Sequence, residues 1–384
     1  MLGSGHGNIG GMMGIRFSHI ARLAVVGSAL VLAGCSSVNP PATPHFEHHG
    51  PMPVGVTTID LGPAGSLGER SATVYYPADR PRLAGHDRFS YVQSDTLPTQ
   101  LKTLLPEEYN TRTDVNAFVD APAFDGKAAP VVLFSHGFGG QRLEYSNLLA
   151  GIASWGYVVV SADYLERGIA SQALKLTTRP SAADDQKIMF ASLSKVIAAS
   201  HNASSPLYGA VDETKVAAAG HSAGGGTAFN ALKNPKVATA IGWAPVPPKG
   251  QPSSKPVMLI GTAGDIAIRP RQVSKTYESF GGPRTLVEVA GEGHNTFTDV
   301  CSVIRQGGGL IRYAVANNFT TESLAKLGIN GCEKTDTAPE KFWPIVQYFT
   351  VAQLMKVFGG SSAPIPTPPS GTFPDFKISV TQGN

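Results

Sequence analysis

The sequence predicts an α/β architecture: a mostly parallel central sheet flanked by helices and contained in a single domain. Three observations lead there. Compact apolar runs alternate with longer helical patterns through the middle of the chain, as strands buried on both faces and their covering helices would. A hydrophobic content of 42% over 384 residues is enough to bury a substantial core. Finally, 43 glycines and 29 prolines beside only 15% charged residues describe a loop-rich globular protein rather than a bundle or a coiled coil.

Residues 55–61 and 72–76 read as an opening antiparallel pair. The pattern then changes to short apolar runs at 131–134, 157–160, 216–219, 238–243, 257–260 and 286–289, each taken as a strand of the parallel sheet. Helical spacing appears between and after them, at 142–155, 182–199, 223–233 and 339–358. Residues 80–127 are polar, contain proline and fit neither period, which makes them an insertion at the substrate mouth. The folded catalytic body is expected over 54–360, followed by a Pro-rich tail at 361–384.

Residues 1–34 read as an address. Arg16 and Arg22 precede an apolar run at 23–33 that is too short to span a bilayer. Leu32-Ala33-Gly34-Cys35 resembles the lipobox of bacterial lipoproteins, in which the signal is cut before a cysteine that then carries lipid. The expectation is a mature chain beginning at Cys35, a flexible tether over 35–53, and attachment to the cell envelope through an N-terminal lipid anchor. Two further cysteines, Cys301 and Cys332, form an even remainder, so an exported chain is expected to pair them; two free thiols are the alternative. Closing a loop of that length is worth about 3–4 kcal/mol. The formal charge of +3 comes from 31 basic and 28 acidic residues with no like-charge block, which argues against a nucleic-acid partner.

The chemistry concentrates in Gly220-His221-Ser222-Ala223-Gly224, which follows one apolar run and opens a helix. That is the setting of a nucleophile elbow, where a strained strand-to-helix turn exposes a serine hydroxyl and flanking glycines make room for it. The hydroxyl needs a base, and His294 is the one histidine after residue 221, placed just beyond the run at 286–289. Asp265, at the end of the strand and loop beginning at Val257, is the acid expected to orient the imidazole; Asp299 and Glu292 compete for that role. Backbone N–H groups of Ala223 and Phe138 are assigned to an oxyanion hole, the latter from Ser135-His136-Gly137-Phe138-Gly139-Gly140 after the third strand. The Phe138 ring and Trp243 are read as pocket walls, with a core position the alternative for Trp243. His136 and His221 are read as structural.

These segments, with Tyr75-Tyr76-Pro77 and Gly291 to Phe297, resemble the platelet-activating-factor acetylhydrolase family (plasma and type II branch) of the α/β-hydrolase fold. They are similar also to chlorophyllases, dienelactone hydrolases and cutinase-like polyester hydrolases. The resemblance implies hydrolysis of short or truncated acyl esters through an acyl-enzyme, with no metal or cofactor and a small-molecule or lipid ester as substrate. The acetylhydrolases carry their acid after the sixth strand, where this chain has no carboxylate, so Asp265 follows the dienelactone and polyester hydrolase arrangement. A lipase or polyesterase, an acyltransferase or peptidase on the same scaffold, and a binding protein that has lost catalysis are the competing functions.

Overall fold

A computed structural model describes residues 45–97, 99–176, 180–250, 253–307 and 309–384. The signal segment, Cys35 and the first part of the tether lie outside the described residues.

The chain opens with β1 (Val54–Pro63) and β2 (Glu69–Pro77), paired antiparallel as their alternating patterns predict. The insertion follows, with β3 (Arg88–Val92), α1 (Thr99–Lys102) and β4 (Arg112–Val119). The parallel region comprises β5 (Ala129–Ser135), α2 (Ser146–Ala153), β6 (Val158–Ala162), α3 (Ile169–Ala173), α4 (Ala182–His201), β7 (Val211–His221), α5 (Ala223–Ala231), β8 (Val237–Trp243), β9 (Val257–Thr262), α6 (Pro270–Ser279) and β10 (Arg284–Val289). Then come α7 (Asp299–Gly307), α8 (Gly309–Ala316), α9 (Glu322–Gly328), α10 (Pro339–Phe358) and β11 (Ile378–Gly383). All eleven strands join one sheet in the order β11-β10-β9-β8-β7-β5-β6-β2-β1-β4-β3. The run β6 to β10 is parallel throughout, whereas β2 meets β6 antiparallel and β11 meets β10 antiparallel. This is the α/β-hydrolase fold.

Period-two alternation divides the strands' side chains between two cores. Val132, Phe134, Val159, Ala217, Ile241 and Val287 face α2 and α10, while their neighbours Val131, Leu133, Val158, Val160, Ala218 and Leu286 face the side covered by α4, α5 and α6. Burial of each of the valine, leucine, isoleucine and phenylalanine side chains among them contributes about 1.5–3 kcal/mol. That double burial is why the strands read as continuous apolar runs.

Both expected boundaries move outward. Phe46 is buried against Trp155 and Tyr348, and its carbonyl accepts Gln347 Nε2 at 2.7 Å, so the end of the tether is part of the body. The tail is likewise not a free segment. Ile365 is buried, its backbone exchanges two hydrogen bonds with the Gln382 side chain, and β11 completes the sheet edge in full register with β10. The alternation Ile378-Ser379-Val380-Thr381 carries a strand signal that the neighbouring prolines obscure.

Candidate active site

Four parallel strands end on the same edge of the sheet, and the loops leaving β5, β7, β9 and β10 meet there. Ser222 sits between β7 and α5 with φ 55° and ψ −120°, in a region that costs a residue bearing a Cβ about 1–3 kcal/mol. The turn is held open by its surroundings. The Ser222 amide donates to the Trp243 carbonyl at 2.8 Å, and the Ser222 carbonyl accepts the Val246 and Gly225 amides at 2.9 and 3.0 Å. A Cβ at Gly220 would strike the Gly224 carbonyl, and one at Gly224 would strike Ser135. These two glycines are therefore a steric requirement of the elbow.

The Ser222 hydroxyl donates to His294 Nε2 at 2.9 Å, and His294 Nδ1–H donates to Asp265 Oδ2 at 2.7 Å. The other oxygen of Asp265 accepts the amides of Ala267 and Ile268 at 2.8 and 2.7 Å, which fixes the plane of the carboxylate. All three residues are nearly buried. Of the competing acids, Asp299 is turned to Tyr91 Oη and the Asn147 amide, and Glu292 does not reach the imidazole.

Sequence reasoning missed the residue that couples these loops. Asn330 Oδ1 accepts the His294 amide at 2.8 Å and the Ile266 amide at 3.1 Å, while Asn330 Nδ2 donates to the Gly264 carbonyl at 3.1 Å. One side chain thus fastens the loop bearing Asp265 to the loop bearing His294. Cys301 and Cys332 form a disulfide, and this bond holds the Asn330 loop against the start of α7. The proximity of Asn330 to a cysteine with a partner soon after His294 was the available signal.

His221 adds a second tie. The Gly137 amide donates to Tyr145 Oη at 3.3 Å, that hydroxyl donates to His221 Nδ1 at 2.9 Å, and His221 Nε2–H donates to the His294 carbonyl at 2.9 Å. Burial, with the nearby His294, lowers the His221 pKa well below its ordinary value, so the ring is neutral and its tautomer is set by the two partners. His136 is neutral for the same reason. Burial and then the charge of Arg167 bring it to about 3, and it accepts the Tyr164 amide at Nε2.

The loop after β5 is shaped from beneath by the buried Arg167, whose guanidinium donates to the His136 carbonyl at 3.0 Å and whose carbonyl accepts the Gly139 amide at 2.7 Å. Arg167 is itself paired with Asp185. The Phe138 amide has no acceptor among the described residues. Ala223, as the first residue of α5, has no carbonyl four residues back within its helix. Neither amide thus has a protein acceptor among the described residues. Among the described residues no three His, Cys, Asp or Glu side chains converge as a metal site.

A cavity of about 380 Å³ opens beside Ser222 and His294. Phe138 lines it and remains 51% exposed. Trp243 does not, which corrects its reading as a pocket wall. Its indole is fully buried on the opposite side of the strand end, beside Phe134, Tyr145 and Phe297, and Nε1 donates to Thr350 Oγ1 at 3.2 Å. Only its carbonyl reaches the site, as the acceptor for Ser222. The leucines of the insertion, at 97, 101, 104 and 105, take part of the wall instead.

The fold and the site place comparisons with known proteins in context. No curated protein matches the chain. It is similar to a solved structure of a ferulic acid esterase from Streptomyces cinnamoneus, with a TM-score of 0.59 over 89% of this chain and 98% of that one. At 19% identity that likeness concerns the fold. The PET hydrolase-like (PETase) family model matches residues 119–316, more than half of the sequence and the whole stretch from the β5 strand to the base loop. The chain belongs to the PET hydrolase-like family of α/β-hydrolases and is an ester hydrolase.

Proposed function

We propose that this protein hydrolyses carboxylic esters through an acyl-serine intermediate formed on Ser222. The observation that carries the reading is the unbroken chain Ser222 Oγ, His294 Nε2, His294 Nδ1, Asp265 Oδ2 at 2.9 and 2.7 Å. As Ser222 Oγ bonds to the ester carbonyl carbon, its proton passes to His294 Nε2, and Asp265 stabilises the imidazolium. The carbonyl oxygen becomes an oxyanion that receives the Phe138 and Ala223 amides. Collapse breaks the bond to the alkoxy oxygen, which leaves as alcohol with the proton held by His294. Water then repeats the sequence, giving its proton to His294 and releasing the acid with Ser222 restored.

The family's name speaks of a polyester and the structural neighbour's of a ferulic acid ester. The same chemistry serves either, so the substrate is set by the cavity. In Ser222→Ala, p-nitrophenyl ester turnover is expected to fall by about 10³-fold or more with folding intact, and a fluorophosphonate should label only the parent protein. Undiminished turnover in that variant would contradict the reading.

Export with a lipid anchor at Cys35 is part of the same proposal, supported by Arg16, Arg22, the apolar run and the lipobox. Incorporation of radiolabelled palmitate that is lost in Cys35→Ser tests it; equal labelling of both proteins would sink it.

A further inference from the structure

The family match covers the chemistry but not the whole cavity wall. Leu97, Leu101, Leu104 and Leu105 precede the matched span, and Leu324 and Leu327 follow it. Between them, α7 and α8 contribute Val300, Ile304 and Ile311. The insertion is lashed to α8, at the end of the matched span, across the mouth: Tyr313 Oη donates to the Leu104 carbonyl, and the Tyr109 and Tyr313 rings lie 5.9 Å apart. The Cys301–Cys332 disulfide ties the segment after the matched span back to α7. The segments on either side of the matched span thus join α7 and α8 in a cap, whose inner surface is mainly aliphatic with Tyr313 and Phe319 beside the leucines.

The chemistry of that surface is selective. No lysine or arginine appears in the described lining, so a phosphate or free carboxylate placed there would be desolvated without a partner. Glu144, the one carboxyl on the wall, is held neutral by burial, which raises its pKa to about 8. A volume of about 380 Å³ lies in the range of sites that enclose a small ligand. Leu104 and Leu324 are 47% and 37% exposed at the rim, leaving an apolar entrance.

We infer that the cavity takes an unbranched aliphatic acyl chain, longer than the short acyl groups expected from sequence, and lays it against the leucines of the cap with its ester carbonyl at Ser222. This rests on the serine-hydrolase reading above and adds its substrate class. A flexible chain gains about 0.8 kcal/mol per buried methylene, whereas a short acyl group leaves the wall uncovered.

The test is kcat/KM of the full chain on p-nitrophenyl esters from acetate to dodecanoate, with the benzoate as an aromatic comparison. The expected profile climbs about fourfold per methylene between butanoate and octanoate, the factor equivalent to that burial energy. Leu105→Trp and Leu327→Trp, which shrink the cavity, should each lower the octanoate-to-acetate ratio by about tenfold or more; fluorophosphonate labelling verifies that their sites are assembled. A profile peaking at acetate, a benzoate preferred to octanoate, or an unchanged ratio in labelled tryptophan variants would overturn the inference and leave the serine chemistry standing. Absence of both turnover and labelling in the parent protein would overturn the chemistry itself. Comparing trioctanoylglycerol emulsion with polycaprolactone film then separates lipid from polyester as the source of the chain, and faster attack on either upholds the aliphatic site.

Discussion

The backbone amide of His294 donates to the Asn330 side-chain oxygen at 2.8 Å, across 36 residues of sequence. Because the Asn330 carboxamide also binds Ile266 and Gly264, the positions of His294 and Asp265 depend on one uncharged side chain. Displacement of a catalytic group by about 1 Å can cost up to about 100-fold in rate. Asn330→Ala is therefore expected to lower kcat by about 10- to 100-fold with little change in KM. Steady-state kinetics beside fluorophosphonate labelling rates check this; a variant that changes KM alone would assign Asn330 to substrate binding.

Reduction of the disulfide should act through the same loop. Cys301 and Cys332 are separated by 31 residues, and opening that loop is expected to cost about 3–4 kcal/mol of stability. Cys332→Ser should lose that stability in urea unfolding and also lose activity, since Asn330 lies two residues away. A variant equally stable and equally active would show that the bond supports neither.

Tyr145 receives the Gly137 amide and donates to neutral His221, so Tyr145→Phe leaves a buried donor and a buried acceptor unpaired. Each such group costs about 1–3 kcal/mol. Thermal and urea unfolding should show destabilisation of at least that size, and kcat should fall as the oxyanion loop loosens. Wild-type stability would mean that water or a rotated ring replaces the hydroxyl.

Most of the parallel sheet is legible in sequence because its strands are buried on both faces and read as continuous apolar runs. The strands β3 and β4 are not, since they form one edge and only alternate residues such as Val115 and Ala117 are buried. The meeting of Ser222, His294 and Asp265 side chains is legible because each follows a recognisable strand at a spacing the fold requires. Asn330 carries only the indirect signal of lying two residues before Cys332. Its role arises from two loops that meet only in the folded chain. Trp243 shows the converse limit: its position at the end of β8 suggests the pocket, but strand alternation turns the indole into the core with Ile241 and leaves the carbonyl facing Ser222.

Stability should also depend on pH through two buried carboxyls. Burial, above all, raises Glu144 to about 8 and Asp299 to about 7 from ordinary values of 4.5 and 3.8. The folded chain thus retains protons on these two groups that the unfolded chain has released, so their contribution to stability is fullest below the ordinary carboxylate range and is lost as pH rises toward 7–8. Glu144→Gln removes one of the two groups. Its Tm should exceed that of the parent at alkaline pH and fall less steeply from acid pH; parallel curves for the two proteins would contradict the assignment.

The most direct measurement is mass spectrometry of the protein quenched during turnover of a slowly deacylating p-nitrophenyl ester. The geometry at the end of β7 predicts one acyl group per chain, located on the peptide that contains Ser222 and absent from Ser222→Ala. An acyl group on another residue, or full turnover by Ser222→Ala, would contradict it.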